Sequence, residues 1–316
     1  MQLNRRIMVL AAAAAALALA AGPAAAAKAR HHPRRAPARV YARPPAPAAP
    51  APPRLDEPRR RLYAQLDKVL QALMDHAPEA ADLAPGARYT ENGRPLAPGE
   101  GLWRTASALA IEGDGLSSLG AASPAYRLYF ADPVNHEAGY LGSLNEGGKP
   151  GVLFLRIRTD GGKTTEVEAV VARESPSSPV ALKPRAFQTP DPSLLAADGT
   201  EARSVLAAAV NRYFEAMRGQ AGAAPALSPA CIRRENGQAF GCAPQPVTAI
   251  RDGRVMAADV DRGLILVGAM LDRGFTGQAP STELAAMLFK LKGGQIVRIE
   301  GLSVPVAYGA RGGWTP

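Results

Sequence analysis

The chain has 316 residues, 47% of them hydrophobic, with two cysteines and a formal net charge of +9. Twelve of its 37 Lys and Arg, but only two of its 28 Asp and Glu, precede residue 62, which leaves the remainder at −1. A nucleic-acid-binding surface needs a basic body, so that class is set aside, and the length suits two domains of ordinary size.

Residues 1–27 open with Arg5 and Arg6, continue through an apolar run from Ile7 to Ala21, and end in small residues. A basic start, a short apolar centre and an Ala-rich exit predict a signal peptide and a periplasmic or secreted protein. The run is short for a membrane span, although a retained N-terminal anchor is the alternative. Residues 28–58 are dominated by Pro, Ala and Arg and lack apolar periodicity, which predicts a disordered, partly polyproline tether. His31 and His32 fall there and read as solvated side chains rather than metal ligands. The charge of this arm suits contact with anionic envelope surfaces.

From Arg59 the pattern changes. Leu62, Leu66, Val69, Leu70 and Leu73 recur at helical spacing, and Pro78 bounds that helix. Next comes the stretch Arg88–Thr105, RYTENGRPLAPGEGLWRT, with an Asn92-Gly93 turn and a Gly-punctuated loop carrying Glu100 and Trp103. Strands are predicted over 126–130, 138–144, 151–158 and 164–173, with turns at Asp132-Pro133 and Asp160-Gly161-Gly162. A helix followed by consecutive antiparallel strands makes an α+β unit, here residues 59–174.

Residues 175–200, with five prolines, read as a linker. The order then repeats over 201–316. A helix is predicted at 203–217, a small helix at 246–250, and strands at 264–271, 283–292 and 295–304, with Gly293-Gly294 in the last hairpin. Asn236-Gly237 echoes Asn92-Gly93 at an offset of 144, Gly268 echoes Gly142 at 126, and Gly293 and Glu300 echo Gly161 and Glu168 at 132. Drifting offsets with a fixed element order indicate a duplication. Cys231 and Cys242 bracket the second turn. In an oxidising compartment a disulfide is the default for so close a pair; the metal-site alternative lacks any His in the second half.

The helix-then-sheet order and the closing hairpins, Asp160–Glu168 and Lys292–Glu300, resemble the nuclear-transport-factor-2-like, or SnoaL-like, superfamily. Within it, Tyr89–Gly93, Gly99–Trp103, Tyr126–Tyr129, Ala131–Pro133, Val170–Arg173, the Cys231/Glu235–Gly237/Cys242 cluster and the closing Val306–Gly309 and Gly313-Trp314 are similar to a secreted bacterial and fungal family, domain of unknown function 8021. The resemblance implies two tandem cones, each a curved antiparallel sheet wrapped on an N-terminal helix. The superfamily includes isomerases, dehydratases, cyclases and binding modules, so it does not select an activity.

Catalysis in such cones pairs a carboxylate or His base with a Tyr or acid donor. Glu168, Tyr129 and Asp132 are the candidates here, and an Asp132/His136 dyad is a further one. Glu168 and Glu300 share one place on the last strand of each half. If Glu168 points into its cone it suits general-base work; otherwise it faces solvent or pairs with an arginine such as Arg156 or Arg298. Tyr89, Glu91, Asn92, Glu100, Trp103, Arg104 and Arg127 are the candidate ligand-binding set. Trp103 reads as packing or as a lid, Arg127 as a carboxylate binder or a partner of Asp132. No Walker loop, nucleotide fingerprint, zinc cluster or Ser-His-Asp arrangement occurs, and no cofactor is expected. The leading expectation is small-molecule or glycan-fragment binding. A cofactor-free lyase or isomerase and a structural envelope partner are the alternatives, and if one cone works the first is the candidate.

Overall fold

The computed structural model describes residues 56–109, 127–176, 178, 180–187, 192–197, 199–274, 277 and 279–314. The signal peptide and tether expected before residue 56 lie outside them. The first helix, α1 (Glu57–Met74), starts on an Asp56 side chain that accepts from the Arg59 N–H at 2.8 Å. The predicted apolar stripe, Leu62 to Leu73, is the buried one. The chain then forms β1 (Leu83–Glu91), β2 (Arg94–Leu96), the single-turn α2 (Leu102–Thr105), β3 (Ala108–Leu109), β4 (Arg127–Asp132), β5 (Glu137–Glu146), β6 (Lys149–Asp160) and β7 (Lys163–Arg173). The short α3 (Pro192–Leu195) precedes α4 (Arg203–Met217). After it come β8 (Leu227–Glu235), β9 (Gln238–Gly241), β10 (Ala249–Asp259), β11 (Leu264–Arg273), β12 (Ser281–Lys292) and β13 (Gln295–Val306).

These strands make two sheets. One runs β2-β1-β7-β6-β5-β3, with β4 also on β5; the other runs β9-β8-β13-β12-β11-β10. The shared path, hairpin beside last strand and then back through the meander, repeats the same construction. The sheets are mixed rather than antiparallel as expected, because β1 pairs parallel with β7 and β8 parallel with β13. After its helix the chain must return alongside its own last strand, and the hairpin enters running in that strand's direction. The 246–250 helix is absent: Val247 N–H bonds Met217 O and Thr248 N–H bonds Asp272 O, already leading into β10. Gly142 and Gly268 are not counterparts. A Cβ on Gly142 would meet Tyr140 in the core under α1, whereas one on Gly268 would meet Met256 between the sheets.

Three apolar layers result. One lies between α1 and the first sheet, one between α4 and the second, and a third joins the sheets face to face through Leu128, Phe130, Phe154, Leu266, Leu288 and Leu302. Face-to-face packing of two sheets is a stable solution when each also has a helix to cover its other face. Leu182, Phe187 and Leu194 of the linker are buried in the middle layer, so this segment packs as part of the core. The predicted disulfide Cys231–Cys242 is formed and ties β8 to the end of the β9 hairpin.

Candidate functional site

The two Asn-Gly turns are built alike. Asn92 and Asn236 both adopt positive φ, 49° and 50°, which Asn tolerates better than most residues. Each then uses its side chain as one more rung of the parallel ladder. Asn92 Nδ2 donates to Val171 O (3.1 Å) and its Oδ1 accepts from Val171 N–H (2.7 Å); Asn236 does the same with Ser303 (2.9 and 3.0 Å). The Asn is thus required for the clasp as well as for the turn.

Around the first clasp the predicted ligand set divides. Glu91 is spent internally, accepting from Leu102 N–H (2.6 Å), Tyr89 Oη (3.0 Å) and Arg173 (2.8 Å). Burial, and then the neighbouring Glu91, pushes the Tyr89 hydroxyl well above its ordinary range. Trp103 is 1% exposed and packs edge-on against Tyr89 at 6.2 Å, so it is packing and not a lid. Glu100 accepts from Ala97 N–H (3.1 Å) and Arg104 Nε donates to Gly99 O (2.9 Å), each bracing the loop. Arg127 begins β4 opposite Gly142, away from this corner.

The catalytic candidates are not brought together. Tyr129 lies under α1, donating to Asp67 at 2.6 Å between the rings of Tyr63 and Tyr140. Glu168 is on the opposite face of the sheet, among the groups between the sheets, where it pairs with Arg254 and lies 3.9 Å from Arg156. It does not point into the layer beneath its helix. Asp132 is fully buried and joins the halves, accepting from Ala258 N–H (3.0 Å), from Asn135 and from Arg203. Its carboxylate is therefore committed, and neither the dyad with His136 nor the pairing with Arg127 forms. Glu300 pairs with Arg298 at 3.0 Å.

What the fold does assemble is a cleft between the first corner and the C-terminal segment. Glu91, Asn92, Gly93, Glu100 and Arg104 line one side, and Met270, Val306, Ala310 and Arg311 the other, around about 730 Å³. A smaller adjoining cavity of about 180 Å³ shares Gly93 and Met270 and is walled by Glu168, Asp252, Arg254 and Trp314. Trp314 is fixed by hydrogen bonds: its Nε1 donates to Thr90 Oγ1 at 3.0 Å, and Arg88 donates to the Gly313 carbonyl at 2.7 Å. The guanidinium carbons of Arg88, Arg254 and Arg156 lie 4.4, 5.3 and 5.7 Å from the indole centre, within cation–π range. Behind them Arg156 binds Glu137 (2.5 Å) and Glu166 (2.7 Å). Burial opposes the Arg156 charge, but those acids and Glu168 outweigh it and hold its pKa above the ordinary value.

Arg94, Arg254, Asp252, Met270 and Arg311 gave no signal in the sequence. Trp314 stood only at the end of a family-like motif. Among the described residues no group of three or more His, Cys, Asp or Glu is placed to hold a metal.

By fold, then, the chain is an α+β protein of two face-packed mixed sheets, each backed by a helix. More particularly, residues 199–303, spanning α4 to most of β13, match the model of a family described as Domain of unknown function (DUF8021). No curated protein matches the chain.

Proposed function

We propose that this is an exported binding protein for a small molecule or glycan fragment, held without a cofactor in the cleft beside Trp314. The observation that carries the reading is Trp314 itself. An indole pinned by Thr90 and ringed by arginines at a cavity wall is a pre-positioned stacking surface. The repeated helix, hairpin and sheet order supports placing both halves among tandem SnoaL-like cones. The disulfide supports an oxidising compartment, and among the described residues no helix is long and apolar enough to cross a membrane. The basic stretch before residue 59 supports contact with anionic envelope surfaces.

The lyase or isomerase reading finds no support in the placement of Glu168, Tyr129 and Asp132. A structural role has one observation in its favour: the layers beneath both helices are filled by side chains such as Leu66, Leu70, Trp103, Tyr213 and Phe289. The test is a thermal-shift screen of the protein against sugars, uronates and aromatic acids, repeated on Trp314→Ala. A ligand at 100 times its Kd stabilises by about 2.7 kcal/mol, a shift of several degrees. The native protein should show that shift and the variant should not. Equal shifts in both would remove Trp314 from the site, and no shift across the panel would favour the structural role.

A further inference from the structure

We infer that the ligand of this cleft carries a carboxylate on a ring, the carboxylate seated among Arg94, Arg104 and Arg311 and the ring directed toward Trp314; this rests on the cleft being the binding site. The three arginines come from different parts of the chain, the β2 strand, the end of α2 and the C-terminal segment, yet line one opening. All three are exposed. Neither Arg94 nor Arg311 has an acid partner among the described residues, and Arg104 uses only its Nε, on Gly99 O.

The acids of the same opening offset this charge only in part: Glu91 shares Arg173 with Glu146, and Glu100, hydrogen-bonded to the neutral Ala97 N–H, stands against three arginines. A local positive excess therefore sits on a body whose overall charge is close to neutral. Guanidinium groups are weakly hydrated and present forked donors that match a carboxylate. Leu96, Met270, Val306, Ala307 and Ala310 supply apolar walls between them, which suits an anion with a ring attached better than a bare inorganic ion. Volume agrees, since about 730 Å³ falls within the range of small-molecule sites.

Two sources share this chemistry, an aromatic acid and a uronate. Calorimetric titration with 4-hydroxybenzoate and with glucuronate, each beside a neutral counterpart (4-hydroxybenzamide and methyl glucoside), separates them. We expect at least one acid to bind tenfold or more tighter than its counterpart and to weaken with added salt. In the double variant Arg94→Gln/Arg311→Gln that acid should lose tenfold or more, while the neutral compound is unchanged. Both side chains are exposed, so the variant keeps its fold, as its unfolding temperature will verify. Equal binding of acid and neutral compound, or an acid indifferent to the double variant, would overturn the arginine assignment and leave the cleft standing. Failure of all four compounds to bind would overturn both.

Discussion

The two Asn-Gly corners share a backbone and differ in what fills them. In the first, Tyr89 and Trp103 pack over a carboxylate, Glu91, with three hydrogen-bonding partners. In the second, Arg233 stands at the place of Tyr89, two residues before the matching Glu235, and no counterpart of Trp103 exists. Arg233 pairs with Glu235, whose other oxygen accepts from Ser303 Oγ at 2.7 Å. Among the described residues, two Arg233 nitrogens, a Glu283 oxygen and the Tyr213 hydroxyl there, and Trp103 Nε1 at the first corner, have no hydrogen-bond partner. Burial pushes the Tyr213 hydroxyl up to about 12. The clasp is thus the part the fold needs, and the filling is free to change from aromatic to ionic.

The outer sides differ as well. A Cβ on Gly237 would lie 2.7 Å from Lys183 O and 2.9 Å from Phe187, because the linker covers that turn, whose Asn236 also donates to Val180 O at 2.8 Å. A Cβ on Gly93 would meet nothing nearer than Arg311 O at 3.6 Å. One corner is closed by the linker and the other borders the cleft, which explains why two sheets of like strand order present this cleft at one corner.

The largest expected effect is on the aromatic filling. Trp103→Ala should cost about 3–5 kcal/mol, the usual loss for emptying a fully buried indole site, read by urea unfolding. A loss below about 1 kcal/mol would mean that the clasp alone holds the corner. The second corner has a covalent staple instead. Replacing Cys231 and Cys242 by Ser opens a loop with a sequence separation of 11 and should cost about 3 kcal/mol on the chain-entropy account. If Trp103→Ala and the double Ser variant proved equally mild, the two corners would not be held by different devices.

Much of this was legible because it depends on local pattern. The stripe Leu62–Leu73 and the run Val205–Met217 gave both long helices, and the paired glycines gave the closing hairpins. Proximity of Cys231 and Cys242 along the chain gave the disulfide. The parallel pairings were hidden because Pro85 and Gly86 break the alternation of β1, whose register with β7 shifts between Leu83 and Arg88. β10 was hidden by its irregularity across Arg251–Arg254. Strands buried on both faces, such as Val167–Ala172, cannot tell a reader which side Glu168 takes. The cleft was least legible of all, since it joins Thr90 to Trp314 across 224 positions.

The smallest expected effect is one of sign, and it separates the corners most finely. Glu146 touches the first corner through Arg173 (2.6 Å) and Thr105 (2.5 Å). Burial raises its pKa, but those hydrogen bonds outweigh burial and hold it below the ordinary carboxylate range. Its contribution is therefore present above the unfolded-state pKa and lost as pH falls through the lower folded value. Glu146→Gln should cost about 1 kcal/mol at neutral pH and nothing once both forms are protonated. Glu283 in the second corner behaves oppositely. Burial raises its pKa against the pull of Arg273, 3.6 Å away, so the folded state binds the extra proton and stability declines as pH rises from the unfolded value through the folded one. Glu283→Gln should match the native protein in acid and be the more stable of the two at neutral pH. Denaturant melts of both variants from acid to neutral pH read the two slopes. Parallel slopes would show that the ionic filling of the second corner is as well satisfied as the carboxylates of the first.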